Sequence, residues 1–186
     1  SAASDVYKRQ LMHALIYRTQ VVRDSGMQLP EHTFYVDFIY AYQPFPWVKS
    51  MLYMDIPFYH YFIGREGQSV QTDVMIRRVA QLRLVNQRMV EATPEPGTVP
   101  DGLYRYMIHF LAIESSVTSV FLILSKDKAN YRLKDELWAD IDKASPAIGR
   151  DVRRKLVSRA LNLRGSVGRW VIRRGYVVAE KVVGFN

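Results

Sequence analysis

Two long stretches with the spacing of amphipathic helices, separated by a segment rich in Pro and Gly, constrain the fold of this chain most. The first runs from Val70 to Ala92 and the second from Leu103 to Leu124, each with apolar residues at three- and four-residue spacing. Residues 93–102 between them read TPEPGTVPDG, and their prolines and glycines end helices and favour turns. We therefore predict two long packed helices with a linker and a subdomain boundary at residues 93–102.

The length and composition of the chain favour one folded domain, or a domain with an appendage. The chain has 186 residues, is 48% hydrophobic and has no Cys, which excludes disulfide and thiolate sites. The formal net charge of +8 belongs to the C-terminal part, because residues 150–186 carry ten Lys or Arg and two Asp or Glu. The sequence carries no RRM, KH or zinc-finger signature, so we expect no nucleic-acid partner.

Asp37 is a lone acid in an aromatic and apolar setting. If the neighbours Phe34 to Phe38 bury its carboxylate, desolvation raises the pKa and makes a general base. Phe34 to Tyr42 has the spacing of a short helix, with Asp37 in the first turn, where the helix dipole favours an acid. The alternative, an ordinary first-turn acid with a normal pKa, is favoured by the local sequence alone.

The segment after this helix is rich in aromatic residues and leads to a polar loop. Ser50 to Phe62 alternates imperfectly and contains Pro57, which predicts two short strands or edge segments. The loop 64–69, GREGQS, offers a cation, an amide and a hydroxyl to a ligand through Arg65, Gln68 and Ser69. Ser69 is also a plausible helix N-cap.

His13, near the start of the chain, has two interpretations. Leu11 to Arg23 reads as a helix, on which His13 and Tyr17 share a face because they are four residues apart. They are then amphipathic groups packed at a core edge, or His13 lies at the rim of a substrate pocket.

The C-terminal part is predicted to be helical. Asn130 to Lys143 and Ile148 to Ala160 each have helical spacing, and Asp140-Ile141-Asp142 lies within the first of them as a solvated face rather than a metal site. No stretch is long enough for a membrane span, since the apolar run 115–125 is bounded by Glu114 and Lys126.

The terminal segment is amphipathic and basic. Its apolar residues are predicted to share one side and its cations to lie largely elsewhere: Val167, Trp170, Val171, Val178, Val182 and Val183 against Arg169, Arg173, Arg174 and Lys181. Two interpretations stay open. The helix docks on its neighbours with a solvated basic face, or residues 166–186 form a peripheral contact with anionic membrane.

From Leu11 to Asn186 the chain resembles the C-terminal part of bacterial family-2 glycosyltransferases with the GT-A fold, of the type that makes cell-surface polysaccharides. The motifs that carry the resemblance are MHALIYRT at 12–19, LPEHTFYVD at 29–37, YHYFIGREGQSV at 59–70 and GRWVIRRGYVVAEKVVGFN at 168–186. Their order and spacing together, rather than any one of them, are typical of the family.

The resemblance implies a fold and a division of the chain. The expected class is α+β, mainly α, with a small α/β remnant of a GT-A domain up to about Gly67 and a helical C-terminal region. Residues 1–10 are then a non-native leader, 11–92 the C-terminal part of the catalytic domain with the following long helix, 93–102 a linker, and 103–186 the helical region with its basic amphipathic tail. The N-terminal half that binds the nucleotide sugar is missing.

The resemblance also implies an activity in the cell envelope of a bacterium. The family's Glu-Asp base reads Val36-Asp37 here, so only Asp37 carries over as the base that deprotonates a glycan or lipid-linked acceptor hydroxyl. Arg65, Gln68 and Ser69 are expected at the donor diphosphate, and His13 near the donor or acceptor edge. The full-length hexosyltransferase is expected to need Mg or Mn, whose ligands are not in this chain.

The expected location is the cytoplasm, or the inner face of the cell membrane as a peripheral protein. The competing class of function is a non-catalytic helical module that binds a membrane surface or a protein partner.

Overall fold

The computed structural model describes residues 12–59, 69, 71–163 and 165–183, with the side chains of the last helix described up to residue 180. This part of the chain contains nine α-helices: α1 (Thr19–Asp24), α2 (Asp37–Tyr40), α3 (Thr72–Arg77), α4 (Val79–Glu91), α5 (Asp101–Leu124), α6 (Lys128–Ala144), α7 (Pro146–Arg154), α8 (Leu156–Leu161) and α9 (Gly165–Val183). Short 3-10 turns occur at Met12–Ala14 and Phe45–Trp47.

The mainly helical class is confirmed, but the predicted α/β remnant is not seen, because the described residues contain no β-strand. Residues 51–59, expected as strand, are irregular and every one of them is exposed. An extended segment becomes a strand only when a neighbour pairs with its backbone N–H and C=O groups. Among the described residues no such neighbour is present, and residues 60–68 lie outside them.

Helix α5 is the centre of the core. It packs against α3, α4 and α6 to α9, and twelve of its residues are buried. By length and composition this helix could cross a membrane, so the expectation that no stretch is long enough is wrong. Two-thirds of its most apolar window is, however, buried inside the protein. A helix that is apolar nearly all round is equally typical of a protein core.

The core continues across the linker at residues 93–102. The ring of Tyr42, after α2, stacks on Phe110 of α5 with centroids 5.8 Å apart. Its hydroxyl lies 2.8 Å from Thr93 Oγ1 and donates to the carbonyl oxygen of Met107. One cluster of buried side chains therefore joins residues on both sides of the linker, and the domain division stays a prediction.

Three predicted helices are interrupted. The Leu11 to Arg23 helix is a 3-10 turn and α1, with residues 15–18 outside any helix. The Val70 to Ala92 helix breaks at Arg78 (φ −106°, ψ 18°), and the Ile148 to Ala160 helix breaks at Lys155 (φ −66°, ψ 138°). The spacing of apolar residues shows which face of a helix is buried, but it does not show whether the backbone stays helical throughout. Packing against α5 stabilises short helices, so two of them can meet at a break.

Candidate active site

The loop before Asp37 is held by contacts with α4 and with the residues on either side of α3. Tyr35 is buried with a positive φ of 68°, which is uncommon for a bulky residue. Its hydroxyl donates to the carbonyl oxygen of Ser69 at 2.9 Å. The Phe34 N–H donates to Gln81 Oε1 at 2.9 Å, and the Arg78 guanidinium lies 3.5 Å from the centroid of the Phe34 ring. These contacts fix the backbone from which Asp37 starts α2.

Asp37 is the first residue of α2, so the prediction that it lies in a first helical turn is confirmed. Burial raises the pKa of its carboxyl above the usual value. The backbone N–H groups of Asp37 and Phe38, and then the nearby His13, act in the opposite direction and leave the pKa raised. The environment is therefore that of a desolvated carboxylate and not of an ordinary exposed first-turn acid.

His13 lies beside this acid but not on a helix face shared with Tyr17. The His13 ring stacks on Tyr59, with centroids 4.2 Å apart, while Tyr17 meets Tyr40 edge to face at 5.2 Å. The predicted shared face is wrong, because the chain leaves the helix between the two residues. Tyr40 donates from its hydroxyl to the carbonyl oxygen of Leu15 at 3.3 Å and so ties α2 to this segment.

Tyr59 contributes to this site, although the sequence predicted no role for it. Its partner is distant in sequence, and its exposed fraction of 40% leaves the edge of the pair accessible. The only sequence signal was the density of aromatic residues around it. Asp37, His13 and Tyr59 together form an acid with an aromatic wall next to it.

The structure tests the predicted polar loop only at its end. Arg65 and Gln68 lie outside the described residues. Ser69 is described, and its carbonyl oxygen accepts from Tyr35. Its predicted role as an N-cap is wrong, because α3 begins at Thr72 with Gln71 in the cap position.

The described residues do not fit the metal that the resemblance implies for the full-length enzyme. They contain no group of three or more His, Asp or Glu side chains close enough to hold an ion. Asp140 and Asp142 lie on α6 as predicted, and they pair with Arg83 and Arg153 respectively. No catalytic step is therefore derived through a metal.

A cavity of about 560 Å³ lies elsewhere, between α6, α7 and the start of α9. Arg153 at its wall donates to Asp142 and to the carbonyl oxygen of Trp138, and Arg169 lies over the ring of Tyr131. Both of these arginines therefore already have partners within the protein. None of the three predicted site residues that the structure describes, Asp37, His13 and Ser69, lines this cavity.

The Asp37 environment can accept a proton from a bound hydroxyl, because a carboxylate with a raised pKa is a stronger base than an exposed one. An exposed aromatic pair beside it can pack against the apolar face of a ligand. Comparisons of the chain with protein-family models, with curated proteins and with solved structures found no match.

Proposed function

We propose that this chain is the C-terminal part of an inverting glycosyltransferase of the GT-A type, with Asp37 as its general base. The observation that carries the proposal is the desolvated Asp37 carboxyl, held at the start of α2 beside His13 and Tyr59. The motif resemblance independently selects the same residue from the eighteen acids of the chain.

The proposed reaction transfers a hexose from a nucleotide-sugar donor to a glycan or lipid-linked acceptor. Asp37 takes the proton of an acceptor hydroxyl, and the oxygen forms a bond to the anomeric carbon of the donor. The bond from that carbon to the diphosphate oxygen breaks, and the nucleoside diphosphate leaves with the electron pair. Attack opposite to the leaving group inverts the anomeric centre. Asp37 and the residues around it supply position and proton transfer.

The exposed segment 51–59 supports the proposal that a further part of the protein packs here. Seven large apolar side chains in it are exposed: Met51, Leu52, Tyr53, Met54, Ile56, Phe58 and Tyr59. Contiguous exposed apolar surface marks a site of interaction. The sheet of a nucleotide-binding half would supply both the missing strand partner and the apolar cover.

The test is the reading frame upstream of Leu11 in the source DNA. We expect it to encode a β/α half with an Asp-x-Asp motif directly after a strand. A frame that starts at a nearby Met, with no such half, would contradict the proposal and favour the non-catalytic module.

If the half is present, the full-length protein should release nucleoside diphosphate from at least one donor in a panel of nucleotide sugars, in the presence of an acceptor. Failure of every donor in a panel of nucleotide sugars, with a folded protein, would contradict the transferase proposal.

A further inference from the structure

Helix α9 presents its apolar side to the outside. Val167 is 73% exposed, Trp170 58% and Val178 61%, and Val171 and Val177 are also exposed. At 100° per residue these side chains fall on one side of the helix. The helix docks on α5 through its other side, where Ile172 is buried, so these outward apolar residues do not make the docking contact.

Three polar side chains of α9, those of Arg173, Tyr176 and Glu180, lie against the protein beside the buried Ile172. The Arg173 guanidinium donates to the Tyr131 hydroxyl and to the carbonyl oxygen of Ile123. At the other end of the helix, Thr72 of α3 donates to Glu180 Oε1 at 2.9 Å and lies 2.8 Å from the Tyr176 hydroxyl. These contacts fix the rotation of α9 about its axis and hold its valines outward.

The charge of this part of the protein complements an anionic surface. Residues 150–186 have a net charge of +8, whereas the rest of the chain is neutral. Arg150, Arg154, Arg159 and Arg174 are exposed. Arg174 lies on the outward side of α9 with its guanidinium 5.8 Å from the Trp170 ring, where a long side chain can reach a headgroup while its stem stays among apolar groups.

We propose that the outward side of α9 binds the surface of an anionic lipid bilayer, with the helix in the plane of the interface. Valines and a tryptophan on one side of a helix enter the boundary between headgroups and acyl chains. Arg174 on this side, and the net positive charge of residues 150–186, add attraction to anionic headgroups. This inference is independent of the proposed transferase activity, because it uses no residue of the Asp37 site.

Vesicle co-sedimentation of the chain tests the proposal. The vesicles are phosphatidylcholine alone, or phosphatidylcholine with about a third of phosphatidylglycerol. We expect binding to the anionic vesicles only, and a marked loss when the NaCl concentration is raised about tenfold, because salt screens the headgroup attraction. Absence of binding to the anionic vesicles would overturn the proposal.

A matched pair of variants locates the surface. Val167→Asp with Val178→Asp places two acids on the outward side of α9, and Met51→Asp with Leu52→Asp makes the same charge change at residues that are 68% and 81% exposed elsewhere. We expect the first pair to lower the partition coefficient at least about tenfold and the second to lower it much less. Equal loss in both pairs would overturn the proposal, since charge alone would explain it.

Two further measurements, of tryptophan fluorescence and of self-association, complete the test. The Trp170 emission, obtained as the difference from Trp170→Phe, should shift to shorter wavelength with anionic vesicles and be quenched by brominated acyl chains. Sedimentation velocity should show no self-association. A dimer that the α9 variant abolishes would identify a second copy of the chain as the occupant, and it would overturn the lipid assignment.

Discussion

The imidazole ring of His13 stacks on the phenol ring of Tyr59, with centroids 4.2 Å apart and planes inclined by 18°. The contact joins the 3-10 turn Met12–Ala14 to the end of the exposed segment 51–59. It holds the imidazole close enough to Asp37 for a charge on it to lower the pKa of that carboxyl. An aromatic contact thus holds an imidazole next to the proposed base.

The first prediction concerns the pH profile of the full-length protein, if it has the proposed transferase activity. The base acts when it is deprotonated, so kcat/KM should fall as the pH drops through the raised pKa of Asp37. His13→Asn removes one of the groups that lower this pKa and leaves the larger effect of the Asp37 and Phe38 N–H groups in place, so the acidic limb should move slightly to higher pH. His32→Asn is the control, because His32 is exposed, has a φ of 52° that Asn tolerates, and is not among the groups that shift Asp37. An unmoved limb in His13→Asn would contradict the arrangement.

The second prediction concerns Glu114, which is fully buried in the core. It accepts from Asn86 and from Thr118, and burial raises the pKa of its carboxyl from 4.5 to about 7. The folded protein therefore holds this proton over a range in which the unfolded chain has lost it. The free energy of unfolding should fall as the pH rises from about 4.5 to about 7, by roughly 3 kcal/mol at ~1.4 kcal/mol per pKa unit.

Glu114→Gln should remove this contribution and leave the protein more stable than the wild type above neutral pH. Urea unfolding at a series of pH values measures both effects. Glu91→Gln on the exposed side of α4 is the control and should follow the wild type. If the free energy of unfolding of Glu114→Gln changed with pH in parallel with that of the wild type, this carboxyl would not be the source of the pH dependence.

The third prediction concerns the contact across the linker. Tyr42→Phe keeps the ring on Phe110 but removes the hydroxyl that lies between Thr93 and Met107. We expect a loss of about 1 kcal/mol in the free energy of unfolding, the usual net value of a buried hydrogen bond. Tyr53→Phe, whose hydroxyl bonds Asp55 in the exposed segment, should cost much less. If Tyr42→Phe and Tyr53→Phe lowered the free energy of unfolding equally, the Tyr42 hydroxyl would not join the two sides of the linker.

The fourth prediction compares two helical glycines. A Cβ on Gly149 of α7 would lie 2.9 Å from the Asp142 Cα of α6, whereas a Cβ on Gly175 of α9 has nothing within 4 Å. Gly149→Ala should destabilise by about 1 kcal/mol or more, because overpacking outweighs the gain in helix propensity. Gly175→Ala should stabilise by up to about 1 kcal/mol. Thermal unfolding of both variants decides, and stabilisation by Gly149→Ala would contradict the close packing of α6 and α7.

Much of the helical architecture was predictable, because α5 and α6 have apolar residues at three- and four-residue spacing over their whole length. The breaks at Arg78 and Lys155 were not, since the spacing of apolar residues is the same on either side of them. The strands were expected from the imperfect alternation of the aromatic-rich residues 50–62. That pattern needs a partner strand, which the local sequence does not specify.

At the site, the sequence predicted the place of Asp37 in a first helical turn and its aromatic neighbours. Its raised pKa depends on burial by residues from distant parts of the chain, so local sequence favoured a normal value. The His13–Tyr59 stack and the contacts of Phe34 with Arg78 and Gln81 are also non-local. The outward rotation of α9 is set by Tyr131 and Thr72, which the helix's own pattern does not contain.

The most direct test of the proposed function is Asp37→Asn in the full-length protein, measured as acceptor-dependent release of nucleoside diphosphate together with donor affinity. Asp24→Asn, an exposed acid in α1, is the matched control. Loss of a general base predicts a fall in kcat of about 10²- to 10⁴-fold with unchanged donor affinity, and full activity in the control. Turnover in Asp37→Asn within a few-fold of the wild type would contradict the assignment of Asp37 as the base.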